Sequence, residues 1–184
     1  MKLKVFGFAL VVVAGLLVAR PVAQDAPKQA PPAKGILDAA LATANASNRN
    51  VFVHFSASWC GWCHKLEAFL KTDEGAMLQK YAVDVMLVVQ ESGEKKILEN
   101  PGGAELMKGW GGTGGIPFYV FLDGKGTVLS DANNMVDAKG NKGNIGYPAN
   151  PKEMAAFDDM VMRGLPKMPA DVRAKIMAYL AAHP

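Results

Sequence analysis

Cysteine is scarce in this sequence, and the shortage excludes a fold held together by a framework of disulfides. The 184 residues contain two cysteines, Cys60 and Cys63. A disulfide between them closes a very small loop, and the stabilisation that a disulfide gives grows with the length of its loop. The pair is therefore predicted to act in redox chemistry rather than to staple the structure.

An excess of one charge is also lacking over most of the chain. The formal net charge is +3, and Lys2, Lys4 and Arg20 account for it, since the remaining residues carry 17 basic and 17 acidic side chains. Binding to nucleic acid depends on clustered basic residues that contact phosphates. The balanced charge therefore argues against a nucleic-acid partner.

No apolar run reaches the length of a stable membrane-spanning helix. The run at 5–19 is shorter than the roughly 20 apolar residues that a bilayer requires. It follows Lys2 and Lys4 and precedes Arg20, a pattern typical of a secretory signal peptide at residues 1–23. An uncleaved N-terminal anchor, which would keep the chain close to a membrane, is the alternative. Because no cysteine follows the run, a lipoprotein anchor is excluded.

The rest of the pattern predicts one α/β domain behind a short tether. Residues 24–34 are rich in proline, alanine and lysine, as in an extended or disordered tether, and 35–184 suffice for one domain. Periodicity and turn residues predict helices at 35–48, 60–71, 76–81, parts of 94–110, 150–163 and 170–182, and strands at 51–56, 83–90, 118–122 and 127–130. This order predicts a sandwich with a central mixed sheet between helices, a long loop at 131–149 and an added C-terminal helix.

The two cysteines lie at a position that suits thiol chemistry. They follow the predicted strand at 51–56 and open the predicted helix at 60–71. The N-terminus of a helix favours an anion, because its backbone N–H groups and its dipole point there. Such sites lower the pKa of a cysteine from about 8.5 to roughly 3.5–7.5, and the thiolate is the reactive form. The pair is predicted to cycle between dithiol and disulfide.

Three segments carry a resemblance to a known family. They are Trp59-Cys60-Gly61-Trp62-Cys63-His64-Lys65, Asn100-Pro101-Gly102, and Gly115-Ile116-Pro117 before the strand at 118–122. Together they resemble the thioredoxin-like superfamily, and the similarity extends over about residues 35–163. The segment at 144–148 further resembles exported bacterial proteins of that superfamily.

The resemblance implies a role for each part of the site. Cys60 is then the exposed nucleophile and Cys63 the buried resolving thiol. The peptide bond before Pro117 is then cis, and the backbone of Ile116 is offered to a substrate strand by β-augmentation. An ordinary trans proline at the start of an edge strand is the alternative.

Two histidines near the cysteines each allow two interpretations. His54 occupies the strand position at which thioredoxins have a buried Asp. It either accepts the proton of Cys63 through a water or is a core residue of the strand. His64 either stabilises the thiolate of Cys60 electrostatically or lies solvated on the helix.

Three further residues of the motif are expected to support the site. Gly61 and Trp62 separate the cysteines, and residues at these two positions tune the redox potential of such a pair. Trp62 either offers an aromatic surface to substrates or packs locally. Trp59 is expected to form a structural wall beside the cysteines.

Other functions compete for the same residues. Cys60, Cys63 and His64 match the Cys-x-x-Cys-His pattern of c-type haem attachment, although the motif follows an apolar strand whereas small c-type cytochromes are largely helical. A scaffold that binds partners is a second alternative, since the loop at 131–149 and the helix at 170–182 exceed what a minimal thioredoxin needs. The cysteines and histidines are too local to complete a zinc site.

These observations favour an exported thiol–disulfide oxidoreductase, periplasmic or extracellular, that reduces or isomerises protein disulfides through Cys60 and Cys63. Its partners are then disulfide-containing proteins and an unidentified redox protein or thiol. No metal or other cofactor is expected, because thiol–disulfide exchange needs only the sulfur atoms.

Overall fold

The computed structural model describes residues 29–184, so the predicted signal peptide and the first part of the predicted tether, residues 24–28, lie outside the described residues. The helices, in chain order, are α1 (Ala33–Ser47), α2 (Gly61–Leu70), α3 (Asp73–Gln79), a 3₁₀ helix (Gly93–Leu98), α4 (Gly103–Gly109), α5 (Pro151–Gly164) and α6 (Ala170–Ala182). The strands are β1 (Asn50–Ser56), β2 (Ala82–Val88), β3 (Phe118–Leu122), β4 (Val128–Asp131), β5 (Met135–Val136) and β6 (Lys142–Gly143). Within these residues, none of the helices has the length and apolarity needed to cross a membrane.

Four strands form a central mixed sheet in the order β2-β1-β3-β4. β1 pairs in parallel with β2, and β3 pairs antiparallel with both β1 and β4. All five residues of β3 and six of the seven in β1 are buried, as expected for central strands covered on both faces. Strands β5 and β6 form a separate hairpin. The predicted fold class, a mixed sheet flanked by helices with an added C-terminal helix, is confirmed.

The two faces of the sheet carry separate layers of the core. On one face, Phe52 of β1 contacts Tyr119 of β3, whose ring meets Phe157 of α5 edge-on. On the other face, Phe55 contacts Trp110, the residue that follows α4, and α4 packs against α1. This division follows from the alternation of side chains along β1.

The last helix, α6, is an integral part of the first of these layers. It packs against α3 and α5, and Ile176 and Leu180 are fully buried. Tyr179 also contacts Phe69 of α2. The residues of α6 coincide with the predicted range 170–182, and its apolar face covers the core.

The end of the predicted tether belongs to the domain. Helix α1 begins at Ala33, which is fully buried, whereas a tether to residue 34 was predicted. Asn100 holds the chain just before α1, because its Nδ2 donates to the carbonyl oxygen of Pro31 at 2.8 Å while its Oδ1 accepts from the N–H of Val88 at 2.8 Å. These hydrogen bonds join residues far apart in sequence, so the proline-rich composition gave no sign of them.

A second boundary also differs from the prediction. Helix α3 begins at Asp73, three residues before the predicted start at 76. The hydroxyl of Thr72 accepts a hydrogen bond from the N–H of Gly75 at 3.1 Å, and such N-caps stabilise the first turn of a helix. The segment that was expected to interrupt the helical pattern is therefore the start of a new helix.

Candidate redox-active site

The two cysteines lie at the start of the helix that follows β1. Cys60 is the N-cap residue of α2, and Cys63 lies in the first turn. Their sulfur atoms form a disulfide with an S–S distance of 2.02 Å. The backbone N–H of Cys63 points at Cys60 Sγ, at an N···S distance of 3.2 Å. Because a helix N-terminus has unpaired N–H groups and partial positive charge, this geometry favours a negatively charged Cys60 sulfur in the reduced protein.

Both sulfur atoms are covered by neighbouring backbone and side chains. Cys60 is 4% exposed and Cys63 is 1% exposed. Cys60 Sγ lies 3.7 Å from the carbonyl oxygen of Ile116, and Cys63 Sγ lies 3.9 Å from that of Phe55. Cys60 is thus less accessible than the exposed nucleophile that we expected, because Ala57 and Ile116 pack against the disulfide. It is still the more accessible of the two.

The turn before β3 lies directly against the disulfide. The Ile116–Pro117 peptide bond is cis. The side-chain amide of Asn144 donates to the carbonyl oxygens of Gly115 at 3.1 Å and Pro117 at 3.0 Å. Ile116 and Pro117 were predicted to belong to the site, but Asn144, which joins both sides of the turn to a distant loop, was not.

Two largely exposed tryptophans flank the disulfide. Trp59 is 59% exposed and Trp62 is 54% exposed. The indole Nε1 of Trp59 donates to the carbonyl oxygen of Gln90 at 2.8 Å, which fixes one edge of its ring. The ring of Trp62 stacks on that of Tyr147, with centroids 6.0 Å apart and planes 18° apart. The exposure of Trp62 favours an aromatic contact surface over a purely local packing role.

His54 is buried between β1 and α2. It is 2% exposed, stacks on Phe52, and has its Nε2 3.3 Å from Asp84 Oδ1. This contact does not meet the geometry of a hydrogen bond, and Nε2 has no hydrogen-bond partner among residues 29–184. A cavity of about 240 Å³ opens beside His54 and is also lined by Glu67 and Asp84. Ser56 Oγ donates to Glu67 Oε1 at 2.5 Å. This side of β1 therefore carries a polar cluster that is buried at His54 and Ser56 and reaches the surface at Asp84.

The disulfide at the start of α2 and the cis-proline turn suit one family of domains. The thioredoxin-like domain family matches residues 37–139 of the chain. This chain belongs to that family. Among curated proteins, none matches the chain.

Several solved structures are similar to this thioredoxin-like chain. A disulphide isomerase from Xylella fastidiosa Temecula1 is 18% identical, with 90% of this chain and 97% of that chain covered and a TM-score of 0.47. A DsbH oxidoreductase is 21% identical, with 84% and 95% covered and a TM-score of 0.43. A thioredoxin from Thermus thermophilus is 22% identical, with 77% and 94% covered and a TM-score of 0.39. The assignment to the family rests on the match to residues 37–139.

The thioredoxin-like match ends before the segment that forms one side of the site. Asn144 and Tyr147, which contact the cis-proline turn and Trp62, both lie beyond residue 139. Tyr119 of β3 fixes this segment, because its hydroxyl donates to the carbonyl oxygen of Gly146 at 2.9 Å. Burial raises the pKa of Tyr119 well above its usual value, and the charge of Glu153 adds to the effect. The Tyr119 hydroxyl therefore keeps its proton, and with it this hydrogen bond.

A buried carboxylate, which no local sequence pattern predicts, holds the loop in front of the disulfide. Glu91 is 6% exposed. Its Oε1 accepts from the backbone N–H of Ser58 at 2.5 Å, and its Oε2 accepts from the Ser58 hydroxyl at 3.0 Å. Lys95 donates to the same hydroxyl at 3.1 Å. Since Ser58 lies two residues before Cys60, Glu91 fixes the path of the loop that leads to the disulfide.

The site does not fit haem attachment. Both thiols would have to reach vinyl groups of the haem, but Cys63 is enclosed against Phe55 and α2. His64, the ligand that this motif would supply, is exposed on the surface of α2, which favours the solvated interpretation of its role. Among residues 29–184, no group of three or more cysteine, histidine or acidic side chains could hold a metal ion.

Proposed function

We propose that this chain is an exported thiol–disulfide oxidoreductase that reduces or isomerises protein disulfides through Cys60 and Cys63. The observation that carries the proposal is the Cys60–Cys63 disulfide at the N-terminus of α2, packed against the cis-proline turn at Ile116. A disulfide between residues three apart adds little stability. Its place in a thioredoxin-like domain therefore supports chemistry rather than a structural role.

The reaction is a pair of thiol–disulfide exchanges. The Cys60 thiolate attacks one sulfur of a substrate disulfide, forms a mixed disulfide, and releases the other substrate sulfur as a thiolate. The Cys63 thiolate then attacks Cys60 Sγ and releases the second substrate sulfur. Two electrons pass to the substrate, its two sulfurs take up protons, and the Cys60–Cys63 disulfide forms. A thiol or dithiol partner must then reduce this disulfide, and the reverse sequence oxidises a client.

The difference between the two cysteines supports this division of roles. The N–H of Cys63 points at Cys60 Sγ, and the first turn of α2 has no acidic residue. Both features favour the thiolate form of Cys60. Cys63 Sγ is more deeply buried, which suits a thiol that attacks only Cys60.

His54 is proposed to accept the proton of Cys63 through a water. Its burial, its orphan Nε2 and its nearness to Asp84, which reaches the surface, support a group that passes a proton between Cys63 and solvent. The variant His54→Gln keeps a polar side chain of similar reach and should slow release of substrate from the mixed disulfide, with a changed pH profile. An unchanged pH profile in His54→Gln would assign His54 to packing alone.

Export is the part of the proposal that rests on the N-terminal sequence. Residues 1–23 are proposed to direct the chain out of the cytoplasm, with the domain following a short tether. Expression of the full chain in a bacterial host, followed by fractionation and intact mass, tests this. A periplasmic product that lacks about 23 residues supports a cleaved signal peptide, a full-length membrane-bound product indicates a retained anchor, and a cytoplasmic product contradicts export.

The redox equilibrium of the cysteine pair tests the central proposal. The chain is incubated in graded glutathione buffers, its thiols are alkylated, and the fraction oxidised is read by intact mass. A potential well below that of glutathione indicates a reductase with a dedicated electron donor, and one well above it indicates an oxidase or isomerase. Failure of the pair to form a disulfide at all would contradict the proposal.

Two cysteine variants assign the roles. Cys63→Ser should accumulate a mixed disulfide with substrate, because resolution is blocked, while Cys60→Ser should not react. Retained partner binding by Cys60→Ser, with no redox activity in the unmodified chain, would instead indicate a binding scaffold.

A further inference from the structure

A second feature of the site is a cavity beside the disulfide. Its volume is about 330 Å³, and its lining includes Trp62, Ile116, Pro117, Ile145, Tyr147 and Glu153. Ile116 connects the cavity to the reacting sulfur, because its carbonyl oxygen lies 3.7 Å from Cys60 Sγ. A side chain close to the cysteine of a bound substrate can therefore reach this cavity.

The walls of the cavity are held in place by hydrogen bonds that reach across the fold. The N–H of Ile145 donates to the carbonyl oxygen of Ala132 at 2.8 Å. The hydroxyl of Tyr147 donates to the carbonyl oxygen of His183 at 2.9 Å. Together with the bonds of Asn144 and Tyr119 described above, these contacts preform the cavity, and a preformed site avoids the cost of ordering its walls on binding.

The lining of the cavity combines apolar surface with one negative charge. Trp62 and Tyr147 provide aromatic faces, and Ile116 and Pro117 provide aliphatic surface. Glu153 is the charged residue of the lining. Its Oε2 accepts from the backbone N–H groups of Ala149 at 2.9 Å and Asn150 at 3.2 Å. These donors carry no full charge, so the carboxylate that they orient keeps a net negative charge.

We propose that this cavity binds a lysine or arginine side chain next to the reacting cysteine of a protein disulfide substrate. The inference rests on the proposed function and names its substrate class. The methylene groups of the basic side chain would lie against Ile116 and Pro117, and its cation would meet the Trp62 ring and the Glu153 carboxylate. Long basic side chains combine an apolar stem with a charged head in this way, and cations bind favourably to the faces of tryptophan and tyrosine.

One nearby positive charge limits the size of the effect. Lys65 Nζ lies 5.4 Å from the centroid of the Trp62 ring and 5.1 Å from that of Tyr147. It lies outside the lining of the cavity and donates to the carbonyl oxygen of Pro184. Its charge opposes a second cation, and exposed ion pairs change an equilibrium by about fivefold at most. We therefore expect a preference of roughly threefold to fivefold for a basic side chain.

The test measures how fast the reduced, full chain reacts with symmetric disulfide dimers of short peptides. Four peptides differ in the residue next to the cysteine, which is arginine, citrulline, leucine or glutamate; citrulline is the neutral isostere of arginine. Each residue is placed first before the cysteine and then after it. Each rate is divided by the rate of the same peptide with dithiothreitol, which removes the intrinsic effect of charge on the disulfide. The expected order is arginine, then citrulline and leucine, then glutamate, with a preference that shrinks as salt is added.

A matched pair of variants locates the charge that is responsible. Glu153→Gln keeps the hydrogen bonds to Ala149 and Asn150, since glutamine serves as well in a capping box, and should abolish the preference for arginine over citrulline. Glu105→Gln removes the same charge from an exposed position on α4 and should leave the preference unchanged.

The outcomes separate this proposal from the one on which it rests. Equal rates for arginine, citrulline and leucine, with normal reduction of oxidised glutathione, would overturn the basic pocket and leave the oxidoreductase intact. Faster reaction of the leucine peptide, unaffected by Glu153→Gln, would overturn it in favour of an apolar pocket. Failure to react even with oxidised glutathione would overturn both proposals.

Discussion

Glu91 gives the sharpest test of how the active-site loop is held. The variants are Glu91→Ala, which removes both hydrogen bonds to Ser58, and Glu91→Gln, which keeps one oxygen acceptor but removes the charge. Glu94, which is exposed on the neighbouring 3₁₀ helix, provides the matched control Glu94→Ala. None of these positions contacts the disulfide.

The expected magnitudes follow from the two hydrogen bonds. Hydrogen bonds to a charged group contribute about 1.5–3 kcal/mol, and a donor left without a partner in a buried site costs about 1–3 kcal/mol. Because both bonds of Glu91 go to one residue and Ser58 is partly exposed, we expect Glu91→Ala to lower the free energy of unfolding by about 3 kcal/mol. Glu91→Gln should lower it by about 1 kcal/mol, since a neutral hydrogen bond remains.

The assay is urea unfolding of the oxidised chain, followed by tryptophan fluorescence and by far-ultraviolet circular dichroism. Glu94→Ala should change the free energy of unfolding by less than about 0.5 kcal/mol, as exposed substitutions usually do. A loss below about 1 kcal/mol in Glu91→Ala, or equal losses in Glu91→Ala and Glu94→Ala, would refute the reasoning. The two probes must report one transition, because the free energy is defined only for two-state unfolding.

Three further predictions concern the free energy of unfolding. An added Cβ at Gly75 would lie 2.6 Å from Leu70 Cα, so Gly75→Ala should lower the free energy of unfolding by about 1–3 kcal/mol. Gly35 lies in open space within α1, so the control Gly35→Ala should raise it by about 0.5–1 kcal/mol. Leu180→Ala should lower the free energy of unfolding by about 2–5 kcal/mol, because Leu180 is a fully buried residue of α6 that packs into the core. Burial raises the pKa of Tyr119 well above the ordinary value of 10.0 for a tyrosine. The stability that this proton contributes is present below pH 10 and falls as the pH rises towards the folded-state pKa, because the unfolded tyrosine ionises first.

Denaturant unfolding checks all three predictions. Equal stability of Gly75→Ala and Gly35→Ala would contradict the close approach of α3 to the end of α2. A cost below about 1 kcal/mol for Leu180→Ala would show that α6 does not cover the core. Tyr119→Phe should remove part of the loss of stability above pH 10. If the free energy of unfolding falls equally steeply with pH in Tyr119→Phe and in the unmodified chain, the loss does not come from Tyr119.

The parts of the fold that the sequence predicted well are those with dense local signals. β3 at Phe118–Leu122 and α6 at Ala170–Ala182 have the predicted bounds, because an unbroken apolar run and a clear helical spacing mark them. α1 begins before its predicted start, since contacts of Ala33 and Pro31 with the segment around Asn100 outweigh the local proline-rich composition.

The residues of the site likewise fall into those that a local motif predicts and those that it does not. Cys60, Cys63 and Pro117 stand in recognisable local motifs, and the structure brings them together. Glu91 contacts Ser58, just before the cysteine motif, from 33 residues along the chain, and Tyr147 contacts Trp62 within the motif from 85 residues along. Nothing in their immediate sequence marks either residue. A residue whose role depends on one long-range contact has no local pattern from which that role can be predicted.

The hydrogen bond between Asn100 and Pro31 also sets the edge of the sheet at which the N-terminal part of the chain enters the domain. Parallel strands end at the same edge of a sheet, so the disulfide after β1 and Asn100 after β2 share an edge, and the N-terminal part of the chain enters there. Nine residues separate Arg20 from Ala30, a length of chain that spans at most about 35 Å. A chain whose apolar run stays in a bilayer would therefore be tethered by the edge of the sheet that carries the disulfide.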